Sequence, residues 1–124
     1  MKFYHFTCDH GAEGIRRDGE LRPQSPWPVF AMGVATRLEH ARPVVWLTDD
    51  PAPDRAAVGL TSVTLNCDRM AHRFEVDARV WRWADWAAVR GANPEYLMVL
   101  GWGREPWRWF VSEKPLPVLA EVVA

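Results

Sequence analysis

A single α+β domain is the fold class this sequence predicts, and three observations predict it. Sheet-forming segments stand near both ends of the chain, at residues 2–7 and 107–112, with helical periodicities between them. The 124 residues match the commonest size of one domain, and 48% are hydrophobic, enough for one core. No Gly- or Ser-rich stretch divides the chain, so residues 1–124 read as one unit.

The elements follow in order. Residues 2–7 (KFYHFT) are β-prone and short, a first strand. Asp9 is placed to cap a helix over about residues 10–18, with Ile15 inward and Gly19 as its stop. Residues 22–43 carry Pro23, Pro26, Pro28 and Pro43 and few periodic apolar positions. They read as a long loop with a helical turn near 31–40, and loops of that length are often functional. The apolar run 44–48 (VVWLT), bounded by Pro43 and Asp49-Asp50-Pro51, predicts a buried strand. A further short strand is expected at 60–66. Residues 72–78 alternate, with Phe74 and Val76 on one face and Arg73, Glu75 and Asp77 on the other, a half-buried strand. Val80, Trp83, Ala84 and Ala87 fall at helical spacing over 79–90, ahead of Gly91. Asn93-Pro94-Glu95 supplies a cap, a first-turn proline and a first-turn acid for a helix running to about Leu100. Residues 107–112 and 117–123 close the series as strands.

Composition narrows the function classes. Fifteen basic residues against 16 acidic ones give a net charge of −1, which provides no whole-molecule field for nucleic acid or an anionic membrane. Two cysteines, Cys8 and Cys67, are too few for a disulfide framework and are expected as thiols. No window approaches the roughly 20 apolar residues of a membrane helix, and the start lacks a secretory apolar run, so a cytoplasmic protein without membrane attachment is expected; a monomer is expected as well. Eight tryptophans stand out; they serve either as packing or as aromatic walls for a ligand.

Five constellations bear chemistry. His5 and Thr7 lie two apart on the first strand and share a face, offering an imidazole and a hydroxyl; the alternative is a satisfied core histidine with Thr7 capping the next helix. Gly19-Glu20-Leu21 follows the first helix, as an ordinary cap or a close backbone approach. Trp46 and Thr48 share a face of their strand; beside the first strand they complete a surface suited to a ribose and a flat ring. Glu75 and Glu113 are carboxylates able to stabilise positive charge at a sugar carbon, though most carboxylates are solvated. Arg69 and Arg73 suit a pyrophosphate or a surface ion pair. His5, Cys8 and His10 match no zinc spacing, so no metal is expected.

The ordered series Tyr4-His5-Phe6-Thr7, Ile15, Gly19-x-Leu21, a proline-rich loop and Val45-Trp46-Leu47-Thr48 resembles the ADP-ribosyltransferase superfamily. It is closest in pattern to DarT-like DNA ADP-ribosyltransferases and RNA 2′-phosphotransferases. The resemblance covers residues 3–48, and the Arg bias fits a small actinobacterial or phage-encoded member (in the host cytoplasm if phage-encoded). It implies a split central β-sheet flanked by short helices that clamps NAD, the ADP-ribose donor. His5 would bond the ribose next to nicotinamide. Phe6, Thr7, Gly19, Leu21, Trp46, Thr48, Arg73 and Trp109 would line the cofactor site. A late-strand glutamate normally orients the oxocarbenium-like centre. Here Trp109 falls near that position, so Glu113 serves if the strand extends that far, otherwise Glu75 serves or the chain has no catalytic acid. The arginines of the RNA 2′-phosphotransferases cannot be matched residue by residue, which ranks that activity below ADP-ribosyl transfer.

Three functions follow as expectations. The first is a mono-ADP-ribosyltransferase that modifies a protein or nucleic acid and releases nicotinamide. The second is a catalytically degenerate module of the same fold that binds nucleotide or nucleic acid through Trp102, Arg104, Trp107 and Arg108. The third is an interaction protein with a Trp-rich contact surface.

Overall fold

The opening β-prone segment forms β1 (Lys2–Thr7), and α1 (Asp9–Asp18) follows at once. These are seen in a computed structural model that describes residues 1–23, 43–58, 63–64, 67–91 and 94–122. The expected helical turn at 31–40, and most of the loop around it, lie outside the described residues. Cys8, not Asp9, is the N-cap of α1; its carbonyl accepts the Ala12 amide at 2.9 Å, and Asp9 is already helical. Gly19 ends the helix with φ of 71°, a left-handed conformation that glycine adopts without Cβ strain, and its amide reaches the Ile15 carbonyl at 2.8 Å.

The remaining elements are β2 (Glu20–Leu21), β3 (Val45–Thr48), α2 (Arg55–Val58), β4 (Val63–Thr64), β5 (Cys67–Asp68), β6 (His72–Asp77), β7 (Trp81–Arg82), α3 (Trp83–Val89), α4 (Pro94–Gly101), a 3₁₀ turn (Pro106–Arg108), β8 (Trp109–Ser112), β9 (Leu116–Pro117) and β10 (Ala120–Val122). The fold is mixed α/β. Six strands form the main sheet in the order β10-β6-β1-β3-β8-β7, each neighbouring pair antiparallel.

Several boundaries depart from the sequence expectations for tertiary reasons. The helix expected from 79 starts at Trp83, because Trp81 and Arg82 are drawn out as an edge strand opposite Val111 and Phe110. Of the strand expected at 60–66, Val63 and Thr64 pair with Cys67 and Asp68 as a small hairpin. The strand expected from 107 starts at Trp109, since Pro106 opens a 3₁₀ turn. The final strand is split: Leu116 and Pro117 pair with Leu21 and Glu20, and Ala120–Val122 pair with β6.

Each face of the sheet carries a core. On one face Phe3, Leu47, Phe74, Val76 and Phe110 pack with Ala12 of α1 and with Leu21 and Leu116 of the β2–β9 pair. On the other, Val44, Trp109 and Val111 pack with Trp83, Trp86 and Ala87 of α3. Most of the tryptophan excess on that side is therefore packing: Trp83 and Trp109 meet edge to face at 5.0 Å. Among the described residues no helix is long and apolar enough to cross a membrane.

Candidate functional site

β1 and β3, which lie 41 residues apart in the chain at the level of His5 and Trp46, are adjacent. Their register, among the described residues, consists of Tyr4 opposite Thr48. By contrast β1 runs in register with β6 along its whole length, from Lys2–Asp77 to Thr7–His72. The sheet thus has two well-paired halves, β10-β6-β1 and β3-β8-β7, joined at a short seam. Beyond Tyr4–Thr48 a side chain takes over from the ladder: His5 donates from Nδ1 to the Trp46 carbonyl at 2.7 Å.

That bond fixes the chemistry of the imidazole. A carbonyl only accepts, so Nδ1 carries the proton and Nε2 of the neutral ring is left as an acceptor. Burial pushes the His5 pKa down, against the opposing pull of the Trp46 carbonyl, and the ring is neutral near pH 7. His5 is half-buried. Because the unfolded chain binds this proton and the folded chain resists it, stability falls as pH drops below about 6.5. Asp68, drawn down to about 2 chiefly by Arg55, and Asp77 and Glu121, held low by the N-terminal amine and Arg16, cause a separate loss only below about pH 4. Replacing His5 with Gln is therefore expected to flatten the stability profile from about pH 6.5 down to the carboxylate range and to leave the acid limb unchanged. Denaturant melts across that range check this, and an unaltered upper slope would show that His5 is not the responsible group.

The expected cluster of imidazole, two hydroxyls and indole on one face does not form. With Tyr4 opposite Thr48, His5 falls level with Leu47, so His5 and Thr7 take the face of Phe3 and Phe74. Trp46 and Thr48 take the opposite face, where the Trp46 indole approaches Trp83 at 6.3 Å and Trp109 at 6.1 Å. A one-residue difference in register exchanges every side chain between faces. His5 and Trp46 therefore meet only across the seam, side chain to backbone. Thr7 packs on the first turn of α1, where a Cβ at Gly11 would collide with its hydroxyl.

Other expected site residues have structural duties. Leu21 is core, and Gly19 is a helix cap whose carbonyl accepts the Val118 amide at 3.1 Å. Thr48 is buried and its hydroxyl accepts the Asp50 amide at 3.1 Å. Trp109 is 7% exposed and donates from Nε1 to the Ala57 carbonyl at 2.9 Å. Glu113 is a structural anchor: Trp86 Nε1 donates to it at 2.9 Å, and Arg90 grips both of its oxygens at 2.8 and 2.6 Å. Arg108, offered above for nucleic acid, is held by Asp49 and Asp50.

Trp46 is 38% exposed, and Phe6, Arg73 and Glu75, each partly buried, share its face of the sheet. Arg73 stands directly opposite Phe6, and Glu75 opposite Tyr4. Glu75 lies 3.7 Å from the Lys2 ammonium, a loose pair beside the tight clasp on Glu113. Phe6 and Arg73 also line a cleft of about 220 Å³ with Pro51, Pro53, Met70 and Val122. Pro51 and Pro53 read in the sequence only as chain breakers; nothing local marks them as a wall for a strand 20 residues on. Among the described residues no three His, Cys, Asp or Glu side chains converge as a metal site. The chain matches no known family, no curated protein and no solved structure.

Proposed function

We propose that this chain binds NAD where β1 and β3 part and transfers ADP-ribose to a protein or nucleic-acid acceptor, releasing nicotinamide, in the manner of the ADP-ribosyltransferase fold. The His5–Trp46 bond carries the reading. A neutral imidazole with Nδ1 already engaged offers Nε2 as an acceptor for a ribose hydroxyl on the Phe3 face, and the partly exposed Trp46 indole, on the opposite face, offers a flat surface only to a part of NAD that passes through the seam between β1 and β3. The short register between β1 and β3, within one six-stranded sheet, supports the reading by leaving the strands room to part there.

In the reaction the bond between ribose C1′ and the nicotinamide nitrogen breaks, and the bonding pair leaves with nicotinamide. A lone pair of the acceptor forms the new bond to C1′. The acceptor proton passes to a carboxylate or to water. Glu75 is our choice for that carboxylate and for stabilising the positive charge at C1′. It shares the Trp46 face, opposite that of His5, so the ribose must cross the sheet at the seam to meet both; it is loosely paired, whereas Glu113 is tied to Arg90 and Trp86.

The test is nicotinamide release from NAD by the purified protein with a candidate acceptor present. We expect turnover in the wild type and its loss in His5→Ala with circular dichroism unchanged; undiminished release by a folded His5→Ala protein would remove the reading. A second reading, a nucleotide-binding module without turnover, is favoured by Trp109 standing at the late-strand position of the expected acid. Saturable NAD binding without nicotinamide release would select it.

A further inference from the structure

Arg73 differs from the other well-placed arginines of the molecule. Arg16, Arg55, Arg90 and Arg108 each meet a carboxylate. Among the described residues Arg73 meets none. Its Nη1 donates to the Pro51 carbonyl, its guanidinium carbon lies 5.8 Å from the centre of the Tyr4 ring, and its Nε is buried with no hydrogen-bond partner. A buried N–H without an acceptor is costly, and the cost is larger in a charged group. Strand pairing sets Phe6 on one side of Arg73 and Val122 on the other. The aromatic contact and the Pro51 carbonyl hold the guanidinium in place. The cleft it lines is otherwise mainly apolar, walled by Pro51, Pro53, Met70 and Phe6.

We infer that this cleft is a binding site for a small ligand made of an oxyanion on a flat apolar body, with Arg73 taking the oxyanion. A guanidinium presents its donors in a planar fork that fits carboxylate or phosphate oxygens. The apolar walls accept a ring edge or face. At about 220 Å³ the cleft is below the usual range for drug-sized ligands, so the body is one ring in size. The inference takes Phe6 and Arg73 from the residues that the resemblance gives to NAD, but it does not depend on that reading: the ligand binds whether or not nicotinamide is ever released.

The experiment follows the Arg73 Nε–H resonance of the full chain by NMR during titration with phenyl phosphate, benzoate and benzyl alcohol. Saturable shifts with the two anions and none with the neutral alcohol are expected, and the anion that saturates at lower concentration identifies the headgroup. Arg73→Lys keeps the charge but loses the fork; followed through neighbouring amides, it is expected to weaken binding about tenfold, and Arg73→Gln to abolish it. Because Arg73→Gln also removes the Pro51 and Tyr4 contacts, the Lys variant keeps the test valid if the Gln variant does not fold. Equal response to benzyl alcohol, no saturation with either anion, or undiminished affinity in Arg73→Lys and a folded Arg73→Gln would each overturn the inference.

Discussion

Trp109→Ala is expected to lower stability by about 3–5 kcal/mol, the largest effect of any single substitution considered. Two losses combine. The indole fills the space between β8 and α3, in ring contact with Trp83 and Trp46, and its removal opens a cavity that paired strands and a packed helix cannot close. The Ala57 carbonyl also loses its donor. Since domains of this size are stable by roughly 5–15 kcal/mol in all, a large share of the folded population is at risk at body temperature. Trp109→Phe keeps a ring and loses mainly the hydrogen bond, at roughly 1–3 kcal/mol. Urea denaturation of the three proteins measures both. A cost below about 1 kcal/mol for the Ala variant would contradict the core placement of this side chain and reopen its role as a ligand wall.

The second large effect separates the two carboxylates. Glu75→Gln is expected to cut nicotinamide release by about 100-fold or more, as removal of a group that stabilises transition-state charge does, with the melting temperature little changed. Glu113→Gln should do the reverse. It weakens a half-buried clasp with Arg90, costing roughly 1–3 kcal/mol, while turnover of the protein that remains folded stays near wild type. Release assays and thermal melts on the same two preparations give both readouts. If Glu113→Gln abolishes turnover at unchanged stability, the acid has been assigned to the wrong strand.

The difference between these carboxylates is a lesson in what the sequence carries. Local periodicity marks β1, β3, β6 and α1 nearly to the residue, because strand alternation and helix capping are written in neighbouring positions. It also gives the faces within each strand: His5 with Thr7, Trp46 with Thr48, Arg73 with Glu75. It cannot give the register between β1 and β3, which the packing of two separate cores decides, and a one-residue offset is what divides His5 from Trp46. Contacts such as Trp86–Glu113, 27 residues apart, or Arg73 against Pro51, 22 apart, are set by topology, so the anchor and the cleft were invisible to pattern. The resemblance gives Leu21 and Thr48 to the ligand, yet apolar burial and turn geometry alone explain both residues.

NAD is proposed to bind where the two halves of the sheet separate. Backbone amide spectra of the uniformly labelled protein, recorded while NAD is added, map that place directly. Shifts concentrated at Tyr4–Thr7 and Val45–Trp46 are the predicted result. Perturbations confined to α3 and α4, or a spectrum indifferent to NAD, would contradict it.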